Sequence, residues 1–216
     1  NGARGVFAGG VTGNYENVID YVTIANTGNA TDFGNLTTGG RYNAAASNGI
    51  RGAITLGNTS GGDVNNIDFI TIATTGNAAD FGDLTVARAQ MAGFSDGSRG
   101  VFGGGESATD TIDYITISTT GNATDFGNLL AANVGPAGCA NDTRGLFGGG
   151  NAGGRTNVIQ YITIATTGNA TDFGDLTAAK NQLAGLASTT RGVFAGGYVF
   201  GGGGNQNVIE YVTIDT

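Results

Sequence analysis

Histidine and tryptophan are absent from the 216 residues, and cysteine, proline and methionine each occur once. Without histidine, neither a Ser-His-Asp nor a Cys-His catalytic group can form, and no histidine-based metal site can be built. The single Cys139 cannot form a disulfide within the chain, and its small neighbours indicate a buried thiol. No apolar run approaches the roughly 20 residues that span a bilayer. These absences favour a non-enzymatic protein without a membrane span.

Charged residues make up only 12% of the chain, and the 17 acidic side chains outnumber the 9 basic ones. The resulting net charge of −8 repels phosphate backbones, so we expect no nucleic-acid partner. A hydrophobic share of 39% argues against intrinsic disorder. The chain opens on Asn1 without an initiator methionine, which suggests a processed product or a fragment.

Glycine is abundant, with 42 residues, and it marks a tandem repeat. An Arg-Gly pair followed by apolar residues recurs every 45 to 48 residues, at Arg4, Arg51, Arg99, Arg144 and Arg191. The marker Thr-Gly-Asn and an apolar-rich segment ending in Thr-Ile recur with the same spacing. The repeat divides a single domain, 1–216, into units 4–50, 51–98, 99–143, 144–190 and a partial 191–216.

Each unit contains four strand-like segments, a to d, separated by Gly, Asn, Thr and Asp. Both faces of segment c carry apolar groups, which is typical of a strand covered on both sides. Four short strands in roughly 45–50 residues indicate a β-propeller blade. The first unit lacks strand a and the last lacks strand d, which gives 18 strands. The sequence predicts an all-β propeller of about five four-stranded antiparallel blades, the first and last incomplete. It leaves open whether one ring closes by blade packing, belongs to a larger ring, or is completed by neighbouring chains.

The pattern resembles kelch repeats, which have a basic residue opening strand a, a Gly doublet closing strand b, and aromatic residues in strands c and d. The basic residues are Arg41, Arg88 and Lys180, and the doublets are Gly9-Gly10, Gly104-Gly105, Gly149-Gly150 and Gly196-Gly197. The strand-c aromatics are Tyr21, Phe69, Tyr114, Tyr161 and Tyr211, and the strand-d aromatics are Phe33, Phe81, Phe126 and Phe173. The chain departs from kelch repeats by using Phe where their strand d usually has Trp, and by having Asn133 where a basic residue is expected.

A narrower resemblance is carried by the amino-acid sequence from Tyr161 to Thr177. This segment is similar to the Gly-rich repeats of virion-associated proteins from marine cyanophages and related environmental phages. Proteins of that group are regarded as tail-fibre-like or other structural components. The resemblance implies a virion or extracellular location.

The five repeated arginines occupy one place in the unit, which suggests a structural clasp between blades. A carboxylate would suit a guanidinium as partner. Candidate partners are the strand-d aspartates and the strand-c residues Asp20, Asp68, Asp113 and Glu210. The alternative is a ring of cations that binds an anionic ligand.

The loops between strands b and c are the segments that do not repeat. They are expected at 11–17, 58–66, 106–111, 151–157 and 198–207. Because loops on a rigid scaffold often carry recognition, we predict a ligand-binding face there. Its candidate residues are Tyr15, Glu16, Asp63, Glu106, Asp110, Arg155, Tyr198, Phe200 and Asn205, with Arg41, Arg88 and Lys180 nearby.

Aromatic faces with amide and acidic neighbours suit sugar rings, so the preferred hypothesis is a non-enzymatic module that binds a host-surface glycan. The alternative is a structural fibre or decoration subunit that assembles through exposed edges or faces with other virion proteins or with its own copies. A carboxylate-based glycosidase or lyase is a third hypothesis, although no acidic pair is marked by the repeat. No cofactor is expected. Ca²⁺ is the one ion that the loops could hold, through Asn14, Glu16 and Asn17 or through Asp63, Asn65 and Asn66.

Overall fold

Five antiparallel sheets follow one another along the chain and form a β-propeller, which confirms the predicted fold class. The computed structural model describes residues 2–107, 109–200 and 203–214, and these contain no helix. Asn1, and the predicted loop positions Ala108, Gly201 and Gly202, lie outside the described residues.

The strands group into blades in sequence order. Blade 1 contains β1 (Arg4–Ala8), β2 (Val18–Thr23) and β3 (Thr31–Asn35). Blade 2 contains β4 (Ala45–Ser47), β5 (Arg51–Thr55), β8 (Asn66–Thr71) and β9 (Ala79–Asp83), with a small hairpin of β6 (Asn58–Thr59) and β7 (Gly62–Asp63). Blade 3 contains β10 (Ala92–Ser95), β11 (Arg99–Gly103), β12 (Thr111–Thr116) and β13 (Thr124–Asn128). Blade 4 contains β14 (Ala137–Ala140), β15 (Arg144–Gly148), β16 (Val158–Thr163) and β17 (Thr171–Asp175). Blade 5 contains β18 (Asn181–Ala187), β19 (Arg191–Val199), β20 (Gly204–Asn205) and β21 (Ile209–Thr213).

Blades 2, 3 and 4 are complete four-stranded meanders, whereas blade 1 has no strand a and blade 5 has no strand d among the described residues. Strands a of successive blades pack side by side around the axis, in the order β4, β10, β14, β18. Two of the predicted loops differ from expectation because they contain strands. Residues 58–63 form their own hairpin, and strand b of blade 5 extends to Val199 to pair with β20.

A β-bulge recurs where strand c meets strand d. In blade 1 the register shifts between Ile19 and Asp20, and the opposing Gly34 has a φ of 146°. The extra residue is Phe33, which the bulge turns into the core, edge-on to Tyr21 with ring centroids 6.0 Å apart. The same edge-on pair of a strand-c ring and a strand-d ring recurs in blades 2 to 4. The repeated Asp-Phe-Gly motif therefore marks the bulge.

Within the described residues, the hydrophobic clusters lie between adjacent blades. One cluster joins each of the pairs 1–2, 2–3, 3–4 and 4–5. Phe147 and Phe194 lie so close to Gly103 and Gly148 of the preceding blade that a Cβ there would overlap the ring. Both faces of the inner blades are therefore covered, which explains why strand c is apolar on both sides.

Candidate functional site

The loops between strands b and c lie beside the segments that lead into strand a. Arg41, before β4, forms a β-bridge with Asn58, and Val134 forms one with Asn151. These segments together make one end of the propeller, which we call the loop face. Most of the predicted ligand-binding residues lie on it, because the strands of every blade run in the same order and direction.

A cavity of about 270 Å³ opens where the axis reaches the loop face. Tyr42, Gln90 and Gln182 surround it with left-handed φ values of 59°, 57° and 57°, and Gly135 holds the equivalent position in blade 4 at 65°. The N–H of Gln90 donates to the Tyr42 carbonyl at 3.3 Å, and those of Gly135 and Gln182 continue the chain at 2.9 and 3.2 Å. Left-handed non-glycine residues are strained, and such strain clusters at ligand sites. We call this feature the axial cavity.

An aromatic and arginine cluster flanks the axial cavity on the side of blades 1 and 2. The Arg41 guanidinium lies 4.8 Å from the Tyr42 ring and 5.3 Å from the Tyr15 ring. The Tyr15 hydroxyl donates to Asn58 Oδ1 at 3.0 Å, and Asn58 Nδ2 donates to Asp63 Oδ1 at 2.7 Å. The structure thus brings together the predicted residues Tyr15 and Asp63 through Asn58, which the sequence analysis did not select.

A second cluster flanks the cavity on the side of blades 4 and 5. Arg155 Nε donates to Asn181 Oδ1 at 2.9 Å, next to Gln182 of the axial cavity. Its guanidinium lies 4.8 Å from the Tyr198 ring and 4.2 Å from the Phe200 ring. The two rings pack edge-on at 6.4 Å, yet Phe200 remains 71% exposed. Arg155 therefore holds an open aromatic surface at the rim.

The other predicted site residues lie apart from these clusters or serve the backbone. Glu106 accepts a hydrogen bond from Gln90 Nε2, so it borders the axial cavity. Glu16 accepts one from the Thr12 hydroxyl within its own loop. Asp110 receives the Leu129 N–H at its carbonyl, 2.7 Å away, and Asn205 is exposed on β20.

Arg88 and Lys180 were expected near the loop face, but their side chains point into the blades and are not open to a ligand. Both side chains are buried and ion-paired, Arg88 with Asp113 and Lys180 with Glu210. Arg41 is not their equivalent. Arg88 and Lys180 each lie four residues after the leucine that follows strand d, and in the first unit that position, four residues after Leu36, is Gly40. Of the three basic residues, only Arg41 reaches the loop face.

The repeated arginines join blades through a different partner from the one expected. Nη1 of Arg4 donates to the Ile72 carbonyl of blade 2 at 2.8 Å. Arg99 and Arg144 likewise reach Ile164 and Ile214 of the next blade, at 2.7 and 2.8 Å. Arg51 Nη1 is buried without a partner among the described residues. Each guanidinium also lies over the strand-c aromatic ring of its own blade, 4.4 to 4.9 Å from the centroid.

The strand-c acidic side chains bind the preceding linker instead. Asp68 accepts hydrogen bonds from the N–H and hydroxyl of Thr37, at 2.8 and 2.7 Å, and Asp113 does the same for Thr85. Burial raises the pKa of Asp68, against the opposing effect of its hydrogen bonds from Thr37. In blades 2, 3 and 5 the strand-c acid thus ties its blade to the linker from the blade before it.

For a metal ion, the described residues offer no group of three or more His, Cys, Asp or Glu side chains in suitable positions. In the loop predicted for Ca²⁺ in blade 2, the Asp63 carboxylate is engaged by Asn58. The axial cavity instead presents amide groups, the Tyr42 ring and the apolar side chains of Met91, Pro136 and Leu183, which suit a neutral ligand with both polar and apolar faces.

Sequence reasoning missed Tyr42, Gln90, Gln182 and Asn58. The first three share one position, two residues after the place of Gly40, Arg88 and Lys180, and the repeat alignment could have grouped them. Their left-handed backbone and their meeting at the axis have no signal in a single sequence.

Fold and loop face define a β-propeller with an axial cavity lined by amide groups and by apolar side chains. No helix long and apolar enough to cross a membrane occurs in the described part of the chain. No protein-family model matches the sequence, and no curated protein matches it at a significant level.

Proposed function

We propose that the protein is a non-enzymatic recognition module whose loop face binds a glycan. The observation that carries the proposal is the exposed Tyr198–Phe200 surface, held by Arg155 at the rim of an amide-lined cavity. An aromatic ring offers an apolar face to the C–H groups of a sugar, and amides and carboxylates pair with its hydroxyls.

The size and the mixed amide and apolar lining of the axial cavity agree with this ligand class. Its volume of about 270 Å³ is near the lower limit of small-molecule pockets, about 300–1,000 Å³. Gln90, Gln182 and Asn43 supply amide groups, and Tyr42 supplies a ring that is 44% exposed. A single sugar unit could enter the cavity while its neighbours stack on the rim aromatics.

The resemblance of residues 161–177 to phage virion repeats supports a host-surface glycan as the ligand and a virion or extracellular location. No reaction is proposed. The two rim clusters adjoin Tyr42 and Gln182, the two ends of the hydrogen-bonded row that surrounds the cavity, which suits an extended chain of sugars better than an isolated monosaccharide.

A glycan array with the purified 216-residue chain, with and without Ca²⁺, tests the proposal. We expect retention of a restricted set of glycans, weakened at least tenfold by Tyr198→Ala combined with Phe200→Ala. Ile50→Ala is the matched control, since Ile50 is 69% exposed on the turn between strands a and b, at the other end of the blade. An array without hits under either condition, or an equal loss in the control, would contradict glycan binding.

A structural fibre or decoration subunit is the second candidate function. The exposed apolar faces of blades 1 and 5 favour it, because such faces mark assembly surfaces. Electron microscopy of the purified chain separates the two candidates: discrete particles favour the recognition module, and filaments favour the fibre subunit.

A further inference from the structure

Blade 1 presents, on the side facing away from blade 2, two side chains that the other blades bury. Phe7 is 62% exposed, whereas its equivalents Ile54, Phe102, Phe147 and Phe194 are all 5% exposed or less. Ile24 is 58% exposed, whereas its equivalents Ile72, Ile117, Ile164 and Ile214 are at most 3% exposed. In every later blade these two side chains insert into the preceding blade. We call this surface the knob face.

Blade 5 presents the other half of the same contact. Ile209 on β21 is 75% exposed, although its equivalents Ile19, Ile67, Ile112 and Ile159 are fully buried beneath the next blade. Leu186 on β18 is also exposed, whereas Phe94 and Cys139 at its register position are buried. We call this surface the receiving face.

The arginine clasp is likewise present on the receiving face. The Arg191 guanidinium lies 4.5 Å from the Tyr211 ring, as Arg4 lies 4.4 Å from Tyr21. In blades 1, 3 and 4 the clasp donates to the carbonyl of the isoleucine after strand c of the next blade. No acceptor for the Arg191 guanidinium is found among the described residues, and the equivalent acceptor would be the Ile24 carbonyl on a knob face.

Ala45 argues for a contact through strands b and c rather than through an added strand a. Blades 3 to 5 have Gly93, Gly138 and Gly185 at its register position, where strand a lies against the strand a before it. A Cβ at Gly93 would lie 2.8 Å from the Ala45 carbonyl oxygen. Ala45 itself carries a Cβ and is exposed. This Cβ would prevent another strand a from packing against β4 as closely as β4 packs against Gly93.

We propose that the receiving face of one copy packs on the knob face of a second copy, head to tail. The partner is a second copy because the two faces are the two sides of one interface that already occurs four times within the chain. Two knob faces do not complement each other, since both would present Phe7 and Ile24 and neither would offer a pocket. The contact is therefore heterologous and produces larger rings or filaments, not a two-fold dimer.

This proposal does not depend on glycan binding, and it supplies an interface for the structural candidate. Sedimentation velocity of the 216-residue chain over a range of concentrations should show species at multiples of the 21.4 kDa monomer mass. Phe7→Asp and Ile209→Asp should each be monomeric, since each copy lacks one of the two faces. An equimolar mixture of the two variants should form a complex of twice the monomer mass and nothing larger, because only one productive pair of faces remains.

Ile50→Asp is the matched control and should assemble like the wild type, because its exposed site lies on neither face. Ile24→Asp and Leu186→Asp repeat the test on each face should one of the first variants fold poorly. A wild-type chain that stays at the monomer mass, as it would if blades 1 and 5 closed on each other, would overturn the proposal. Single variants that still dimerise would also overturn it, by revealing a contact between like faces. None of these substitutions lies on the loop face. Glycan retention by the same variants therefore tests the proposed function independently of the assembly proposal.

Discussion

Arg88 Nη1 donates to Asp113 Oδ2 across 2.8 Å, and neither side chain has any exposed surface. The pair lies inside blade 3, between the segment that leads into strand a and the middle of strand c. Blade 5 has Lys180 and Glu210 at the same places, and blade 4 has the uncharged Asn133 and Gln160. Blade 2 keeps the acid, Asp68, but has Gly40 where the base would stand, because the Leu56 carbonyl occupies that space.

In blade 4, both members of the buried ion pair are therefore replaced together, by Asn133 and Gln160. A buried charge without its partner is costly, whereas a pair exchanged for two neutral groups can be tolerated. We expect Arg88→Asn to lower the free energy of unfolding by about 3–5 kcal/mol. The double variant Arg88→Asn with Asp113→Gln, which copies blade 4, should regain about 1–3 kcal/mol of that loss. Urea denaturation measures both, and a double variant less stable than the single one would show that the pair is not the unit exchanged.

Asp68 should make stability fall as the pH rises. Burial raises its folded-state pKa above the unfolded value of 3.8, so ionisation is easier in the unfolded chain. The stabilisation is complete below pH 3.8 and is lost as the pH rises through the folded-state pKa. Asp68→Asn should remove this dependence, so its stability relative to the wild type should increase with pH. Thermal unfolding at a series of pH values checks this, and a constant difference would exclude a raised pKa.

Glu210 should show the opposite sign. Burial acts to raise its pKa, but the hydrogen bonds from Lys180 and Thr177 outweigh burial, and the pKa falls below 4.5. Its stabilisation is present above pH 4.5 and is lost as the pH falls through the lowered value. Glu210→Gln should therefore be less stable than the wild type near neutral pH and approach it in acid. The same pH series provides the measurement, with Asp68→Asn as the matched comparison.

Gly82 and Gly174 share one bulge position but differ in their surroundings. Their φ values are 142° and 139°, so alanine pays the same backbone strain at both. A Cβ at Gly82 would lie 2.5 Å from the Gly121 carbonyl oxygen of the next blade, whereas one at Gly174 meets nothing within 4 Å. We expect Gly82→Ala to cost about 1–3 kcal/mol more than Gly174→Ala by denaturant unfolding. Equal costs would mean that strain alone makes glycine necessary here.

The Cys139 thiol should be unreactive towards alkylating reagents in the folded protein. Burial raises the pKa of its thiol to about 12, although a backbone hydrogen bond from Val193 opposes the shift. The thiolate fraction near pH 8 is then about a thousandfold below that of an ordinary cysteine, before access is considered. Alkylation should be slow and should become fast on unfolding. An exposed cysteine introduced by Ser60→Cys in a Cys139→Ser background should react at the rate of a free thiol; rapid labelling of native Cys139 would place it at the surface.

The repeat spacing and the strand-forming segments were sufficient to predict the propeller, because each blade is built from contacts local in sequence. The incomplete first and last blades were also readable, since missing segments are visible by comparison with the complete units. The burial of Arg88 and Lys180 could not be predicted from the sequence, because a basic residue beside a loop has the same pattern whether it faces solvent or a buried carboxylate. Only packing against strand c decides between these environments.

By itself, the sequence determined the propeller fold class, the four-stranded repeat unit and the position of the variable loops, all of which follow from a periodic pattern. The tertiary structure alone decided which residues meet at the axis, which arginine partners are carbonyls, and which repeated side chains remain exposed on blades 1 and 5. Phe7 and Phe147 have the same sequence context, yet one is exposed and the other buried. The difference is the presence of a neighbouring blade, and solvent exposure is a property of that neighbour and not of the residue.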